Sequence, residues 1–475
     1  MLEKSLISRV LDEARQKGSD FAEIYYEEKQ LNNIFCEDNR IEKINSGRER
    51  GAGIRTIKDG NTAYVYTSDL SLEGLCKAAA IANHVAAAQV RNMDREIKLS
   101  LKKPRFDMEY KRLPERVSID EKIEHVLAAN KRTRDYAPEI RQVTVAAGDM
   151  HRNIQIANSN GDLVEEEQVR VRMIVNAVAS RQGMVQTGYE SAGAVAGWEL
   201  LDNVNFAELG EKAARLAVET LSAKPAPAGR MPVVMAAEAG GTMVHEACGH
   251  GLEADLVQKG LSVYRNQLGK MVASQGVSVI DDSTLPGRYG SYRFDDEGNH
   301  GQRQVLIDNG ELKAYLYDYL TAAKDGKDFS ANGRRESYQY KPIPRMSNTF
   351  IAPGHDDPAA IRKDTKYGLL VKKMGGGQVN TTNGDFVFDV QEAYIISDGE
   401  VKYPVRGATL IGNGPQVLGD IDMIGNDLGF SLGTCGKDGQ GVPVADAQPT
   451  IRIKQITVGG TAVEDEPQLK RIRRK

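Results

Sequence analysis

Long hydrophobic runs are missing from this sequence: no stretch of 18 apolar residues occurs, which excludes a membrane-spanning helix. Cysteine is scarce and dispersed. Cys36, Cys76, Cys248 and Cys435 spell out no disulfide framework, and a reducing cytosol is their natural setting. Neither sign of charge dominates: the formal net charge is −4, and the single basic run is the tail Arg471-Ile472-Arg473-Arg474-Lys475, read as a solvated terminus. A nucleic-acid binder would carry a basic face, so that class is disfavoured. The opening MLEKSLISRVLDEARQKG holds charge throughout and lacks the apolar segment of a secretory signal. The expectation is a cytoplasmic protein with neither a membrane nor a nucleic-acid partner.

What is present is ordinary globular composition, with 40% apolar and 27% charged residues over 475 positions, enough for two or three domains. Leu2, Leu6, Ile7, Val10, Leu11 and Ala14 recur at helical spacing, and Gly18 ends the pattern. Ile54 to Ile57 alternate, Asp59-Gly60 supplies a hairpin turn, and Ala63 to Tyr66 answer as the second strand. An alanine-rich helix is predicted over Leu72 to Val90, and Ser118 with Glu121 forms a capping box ahead of Ile123, Val126 and Leu127. A second hairpin turns at Asn160-Gly161, and a helix over Phe206 to Ser222 closes this half. Residues 224–229 read Lys-Pro-Ala-Pro-Ala-Gly, the best linker in the chain, since its prolines favour extended backbone. Strands and glycine-rich turns dominate the remainder, with hairpin signals at Asn309-Gly310 and Asp398-Gly399. The pattern predicts an α+β protein. A mixed α/β N-terminal domain (1–223) serves assembly and substrate access, and a β-rich C-terminal domain (230–475) carries the chemistry.

That chemistry centres on Met243 to Asp255, MVHEACGHGLEAD. His245, Glu246 and His250 form H-E-x-x-x-H, one residue longer than the zinc-peptidase H-E-x-x-H. On a regular helix, five steps of about 100° leave the two imidazoles roughly 140° apart, unable to share an ion. A π-type turn would bring them to one face, and Gly249 and Gly251 ease such a distortion. Only seven histidines occur in the chain, so two beside one glutamate favour a site over chance. Glu246, next to a ligand, can reach an attacking water as general base without itself binding the ion. A catalytic zinc takes three protein ligands and leaves one position open. Cys248, Glu253, Asp255 and Cys435 are the candidates for the third. Cys248 reads better as a packed small residue, and Glu253 and Asp255 also suit acceptors for imidazole N–H groups. On residue chemistry alone Cys435, set in a glycine-rich loop, stands only slightly ahead of Glu253.

Several segments together resemble the TldD/PmbA family, and within it the TldD-like subunit. They are HEACGHGLEADL from His245, DDEG from Asp295, NGRRESYQYKPIPRMSNT from Asn332, GGGQVNTTNGDFVFDVQEAYII from Gly375, PVRGATLIGNGP from Pro404 and GTCGKDGQGVPV from Gly433. The resemblance is specific over the second half and looser over the first. It implies a metallopeptidase with zinc (Zn2+) on His245, His250 and Cys435 and with Glu246 catalytic. It further implies a PmbA-like (TldE) partner lacking the metal motif, or a homodimer. Unstructured peptides, including leader peptides of modified precursors, are the implied substrates.

Asp295, Asp296 and His300 are expected either to line a substrate groove or to form an acidic surface turn around a solvated histidine. Arg334, Arg335 and Arg345 are read as carbonyl or carboxylate anchors, or else as salt-bridge partners. Gly375-Gly376-Gly377 lacks the Lys-Ser/Thr ending of a phosphate loop, so nucleotide binding is rejected and close backbone packing near the site is expected. Extended peptides would bind as an added strand. Two rival readings are a non-enzymatic peptide- or protein-binding regulator with a structural zinc, and a metal-dependent hydrolase of small molecules.

Overall fold

The computed structural model describes residues 1–16, 18–86 and 97–461. The basic tail and the end of the alanine-rich segment lie outside the described residues. The first half is built on one long sheet: β1 (Phe21–Glu37), β2 (Arg40–Lys58), β3 (Asn61–Thr67), β4 (Ser100–Leu101), β5 (Ile140–Asn158), β6 (Asp162–Arg181) and β7 (Met184–Ala194). Its order is β3-β2-β1-β5-β6-β4, with β7 paired further along the same edge of β6 that β4 occupies, opposite β5. Strands of this length alternate their side chains between two faces. Ala22, Ile24, Ile34 and Cys36 of β1 face four helices: α1 (Lys4–Arg15), α2 (Leu72–Ala86), α3 (Ile119–Arg134) and α4 (Phe206–Leu221). Tyr25 faces the other way, with Ile154, Ile156 and Val164, against Phe294 and Tyr338 of the second half. The sheet is thus buried on both sides around Tyr25 and Ile156, while the stretch of β2 over residues 40–50 is open to solvent.

The second half continues with β8 (Lys224–Pro225), β9 (Gly229–Met235), β10 (Val279–Asp282), β11 (Arg303–Asp308), β12 (Glu311–Leu312), β13 (Gly333–Arg334), β14 (Ile343–Pro344) and β15 (Asn348–Ile351). After these come β16 (Tyr367–Asn380), β17 (Asp385–Ser397), β18 (Glu400–Arg406), β19 (Thr409–Asn413), β20 (Ile421–Ile424), β21 (Gly429–Lys437), β22 (Gln440–Gln448) and β23 (Ile451–Gly459). One sheet runs β16-β9-β23-β19-β17-β18-β8, and an extra β16–β17 pairing closes five of its strands on themselves like a small barrel. A second runs β12-β11-β10-β15-β22-β21, which leaves β21 as an edge. The architecture is mixed α/β and rich in strand, as the sequence predicts.

Local signals are realised residue by residue. Ser118 accepts from the Glu121 amide and starts α3, but the predicted capping box is only half formed, since the Glu121 carboxylate pairs with Arg112 instead. The turns at Asp59-Gly60, Asn309-Gly310 and Asp398-Gly399 have both φ angles positive, as tight hairpins require. The 224–229 segment is not loose: Lys224 and Pro225 pair with Val405 and Arg406, and the Ala226 amide donates to the Arg406 carbonyl.

Beside the apolar contacts around Tyr25, the seam between the halves carries a buried polar network. Arg55 sits between Glu23 and Glu297, at 2.7 Å from each, and Arg335 donates to Glu23 at 2.5 Å while lying over the Tyr25 ring. Here the structure corrects the sequence reading of Asp295 and Asp296. They form neither a groove wall nor a surface turn. Asp295 is 2% exposed and accepts from the Glu297, Asn299 and Gly333 amides, and Asp296 accepts from the Arg335 amide. Both carboxylates are spent on turn and seam because this sheet face covers them.

Candidate metal centre

From β9 the chain enters a broken helix. A short 3₁₀ turn (Ala237–Ala239) ends at Gly240, whose φ is +69°. Helix α5 (Thr242–Val244) then starts, and the His245 amide still donates to the Gly241 carbonyl in the regular i to i+4 way. Over His245–Gly249 the winding changes to π: the His250 amide donates to the His245 carbonyl, five residues back. The widened turn brings the rings together, with centroids 4.9 Å apart. This is the distortion demanded by the five-residue spacing. The role of Gly249 differs from the expected one. Its backbone angles are ordinary helical (φ −51°, ψ −59°), so it relieves no strain. A Cβ there would lie 2.1 Å from Met346 Sδ, so what glycine supplies is room.

Each ring is held from behind by a carboxylate. His245 Nδ1 lies 2.9 Å from Asp446 Oδ1, and His250 Nδ1 lies 3.0 Å from Glu253 Oε2. With Nδ1–H donating, each Nε2 is turned towards Cys435 Sγ, at 3.2 Å for His245 and 3.4 Å for His250. Donor atoms of the three residues all lie within 4.8 Å of one another. Burial works to raise the Cys435 thiol, but the two facing imidazoles outweigh it and bring it down to about 4. Burial works against protonated His250, and the Glu253 carboxylate overcomes it, lifting the ring to about 10. A cation here would replace ring protons and keep the thiolate. Burial raises Glu246, while the two histidines oppose that shift.

The donors open on a cleft of about 990 Å³. Glu246 stands in its wall. So do Gly375 to Gly377, where a Cβ on Gly377 would lie 1.9 Å from the Phe388 ring, the close packing that the triple glycine predicts. Three strand edges meet at the cleft. Among the described residues, strand β7 pairs only with β6, β21 only with β22, and β16 beyond Val371 only with β17. Lys373 of β16 reaches across to Glu190 and the Tyr189 carbonyl of β7, tying the halves together over the opening.

Among the remaining candidates, Cys248 is buried with its thiol on the Val244 carbonyl, and Asp255 pairs with Lys437 at 2.6 Å. Arg334 donates to the Met346 and Pro443 carbonyls, and His300 packs on Phe294 at the seam. Arg345 is wholly buried beneath Cys435. None of Asp295, Asp296, His300, Arg334 or Arg345 lines the cleft. Sequence reasoning missed Asp446 and Lys437. A single Asp in the otherwise apolar run Val442 to Ala447 was the available signal for the first.

Two imidazoles and a thiolate are a donor set for zinc-like ions, and a tetrahedral ion with ordinary bond lengths separates N and S by about 3.6 Å. The observed 3.2 and 3.4 Å fit with slight expansion. Three donors with one side open to a cleft, and a carboxylate beside it, have the composition of a mononuclear hydrolytic metal centre.

Comparison with known proteins gives the family. Residues 22–86, 112–221 and 228–460 match, in turn, domain 1, the central domain and the C-terminal domain of the PmbA/TldA metallopeptidases. A metalloprotease TldD homolog from Buchnera aphidicola is 32% identical over 462 residues, covering 95% of each chain. A zinc metalloprotease TldD homolog from Saccharolobus solfataricus is 25% identical, covering 95% of this chain and 99% of the relative. The crystal structure of TldE from Thermococcus kodakarensis shares the fold, with a TM-score of 0.74 at 19% identity over 96% of this chain and 100% of that one. The chain belongs to the PmbA/TldD family of metallopeptidases.

Proposed function

We propose that this chain is the catalytic, TldD-like subunit of a zinc peptidase that cleaves unstructured peptides bound as an added strand. The observation that carries the reading is the convergence of His245, His250 and Cys435 donor atoms within 4.8 Å beside Glu246. Zinc, when bound by those three residues, supplies Lewis acidity towards a scissile carbonyl. Glu246 takes the proton of the attacking water and passes it to the leaving amine, and its raised pKa suits that exchange. Asp446 and Glu253 fix the tautomers of the two histidines, so that both Nε2 atoms face the same point. The edges of β21 and of β16 beyond Val371, which have no strand partner among the described residues, offer main-chain donors and acceptors, a mode of binding indifferent to side-chain sequence.

The resemblance supports a PmbA-like (TldE) partner, or a second copy, and leader peptides of modified precursors among the substrates. Among the described residues no helix is long and apolar enough to cross a membrane, which accords with work in the cytoplasm. A regulator with a structural zinc would have no use for Glu246 in the cleft wall. The deciding experiment couples metal analysis to mass spectrometry of peptide digests, on this chain alone and with a PmbA-like partner. Zinc near one equivalent and new peptide termini are expected. A zinc-loaded chain that cuts nothing in either setting returns the vote to the regulator.

A further inference from the structure

Of the two expectations for Arg345, substrate anchor or salt-bridge partner, the structure supports the second: the side chain lies wholly buried behind the metal donors, 3.8 Å from Glu253. Its Nη2 donates to the Cys435 carbonyl at 2.5 Å and its Nη1 to the Gln440 carbonyl at 3.2 Å, so one guanidinium grips both strands of the β21–β22 hairpin. Its Nε stands 3.8 Å from Glu253 Oε1, and neither atom has a hydrogen-bond partner among the described residues. The other oxygen of Glu253 faces His250 Nδ1 at 3.0 Å and Lys437 Nζ at 3.1 Å. Lys437 also reaches Asp255 at 2.6 Å and the Pro344 carbonyl, adjacent to Arg345, at 3.0 Å. Glu253, Asp255, Arg345 and Lys437 therefore close into a buried cluster, with exposed Lys259 3.5 Å from Asp255 at its rim, that touches both Cys435 and His250, donors 185 positions apart in the chain. Lys437 and Cys435 are two residues apart on one strand, hence on one face of it. No single strand or helix carries both donors, and this cluster contacts each of them.

We propose that Arg345 and Lys437 are positioning residues of the metal centre: together they hold Glu253 against His250, and Arg345 also fixes the Cys435 backbone. The inference rests on reading His245, His250 and Cys435 as metal donors. Partners that orient metal ligands govern affinity by about 10–100-fold when removed. Lysine in place of Arg345 keeps the charge but cannot grip two carbonyls from one planar fork.

The test uses full-length wild type, Arg345→Lys and Lys437→Gln. Each is titrated with zinc against a competing chelator, and each is loaded with cobalt(II), whose thiolate charge-transfer absorption reports the Cys435 bond. Zinc binding about 10–100-fold weaker is expected in both variants, with the charge-transfer band shifted or weakened in Arg345→Lys and retained in Lys437→Gln. A purely structural role would lower melting temperature and leave affinity and band unchanged in the folded protein. That result in either variant overturns the proposal. If Arg345→Lys does not fold, Lys437→Gln alone decides by its zinc affinity. A wild type with no thiolate band sinks the metal reading and this inference with it, whereas a wild-type band with unchanged variants sinks the inference alone.

Discussion

At the scale of single residues, the site separates groups that bind from a group that reacts. Glu246 borders both histidines yet belongs to the cleft wall, while Asp446 and Glu253 are consumed in orienting the rings. Glu246→Gln should keep metal and fold and lose hydrolysis by a factor of about 10²–10⁴, because an amide cannot accept the proton. Steady-state turnover near that of wild type would remove its assigned role. The two central cysteines make a sharper contrast. Cys435 faces both imidazoles, whereas Cys248 is wholly buried with its thiol on a helix carbonyl. Cys435→Ala should lower zinc content and activity together. Cys248→Ala should lower only stability, by about 1–2 kcal/mol for a small buried side chain. Zinc stoichiometry on both variants checks this, and full occupancy in Cys435→Ala would remove Cys435 from the donor set.

At the scale of elements, the π turn is the device that makes a five-residue spacing work. Its packing is tight: Gly249 lies against Met346, and a Cβ on Gly414 would meet the Ala247 carbonyl at 2.0 Å. Gly249→Val should therefore weaken zinc binding without touching a donor, since the side chain can enter only by moving Met346 or the turn. Because the need is for room and not for backbone freedom, Gly249→Ala combined with Met346→Ala should bind zinc more tightly than Gly249→Ala alone. Chelator competition on the three variants decides the matter. A double variant no better than Gly249→Ala would show that the backbone, and not the space, is limiting.

At the scale of the whole molecule, the first half does more than sit beside the second. Its β7 edge forms part of the cleft, and its buried arginine–glutamate seam reaches the segment that carries Arg345. Arg335 is the keystone of that seam. Arg335→Met leaves Glu23 facing Arg55 alone and should destabilise the protein by about 3–5 kcal/mol, as breaking a buried ion pair does. A denaturant melt reads the loss, and an unchanged midpoint would mean the seam contributes little. We also expect a dimer that encloses the cleft, so that folded proteins resist cleavage. A monomer by light scattering that degrades folded proteins freely would end that expectation.

The sequence by itself determined whatever rests on neighbours along the chain. Helix α1, the Ser118 cap, the three tight hairpins and the need for a distorted turn between His245 and His250 are all short-range consequences of residue type and spacing. Asp295, Asp296 and His300 looked like site residues because acidic turns with a histidine usually meet solvent. Only the packing of the β1–β7 sheet over them buried their partners and turned them into seam. Likewise Cys435 and Glu253 could not be separated by residue chemistry. That choice depends on which ring nitrogen each one faces, a matter of how two strands and a broken helix, nearly 200 residues apart, are laid against each other. Periodicity along a chain fixes local geometry, whereas the meeting of distant donors is fixed by burial and by the polar groups that burial forces into pairs.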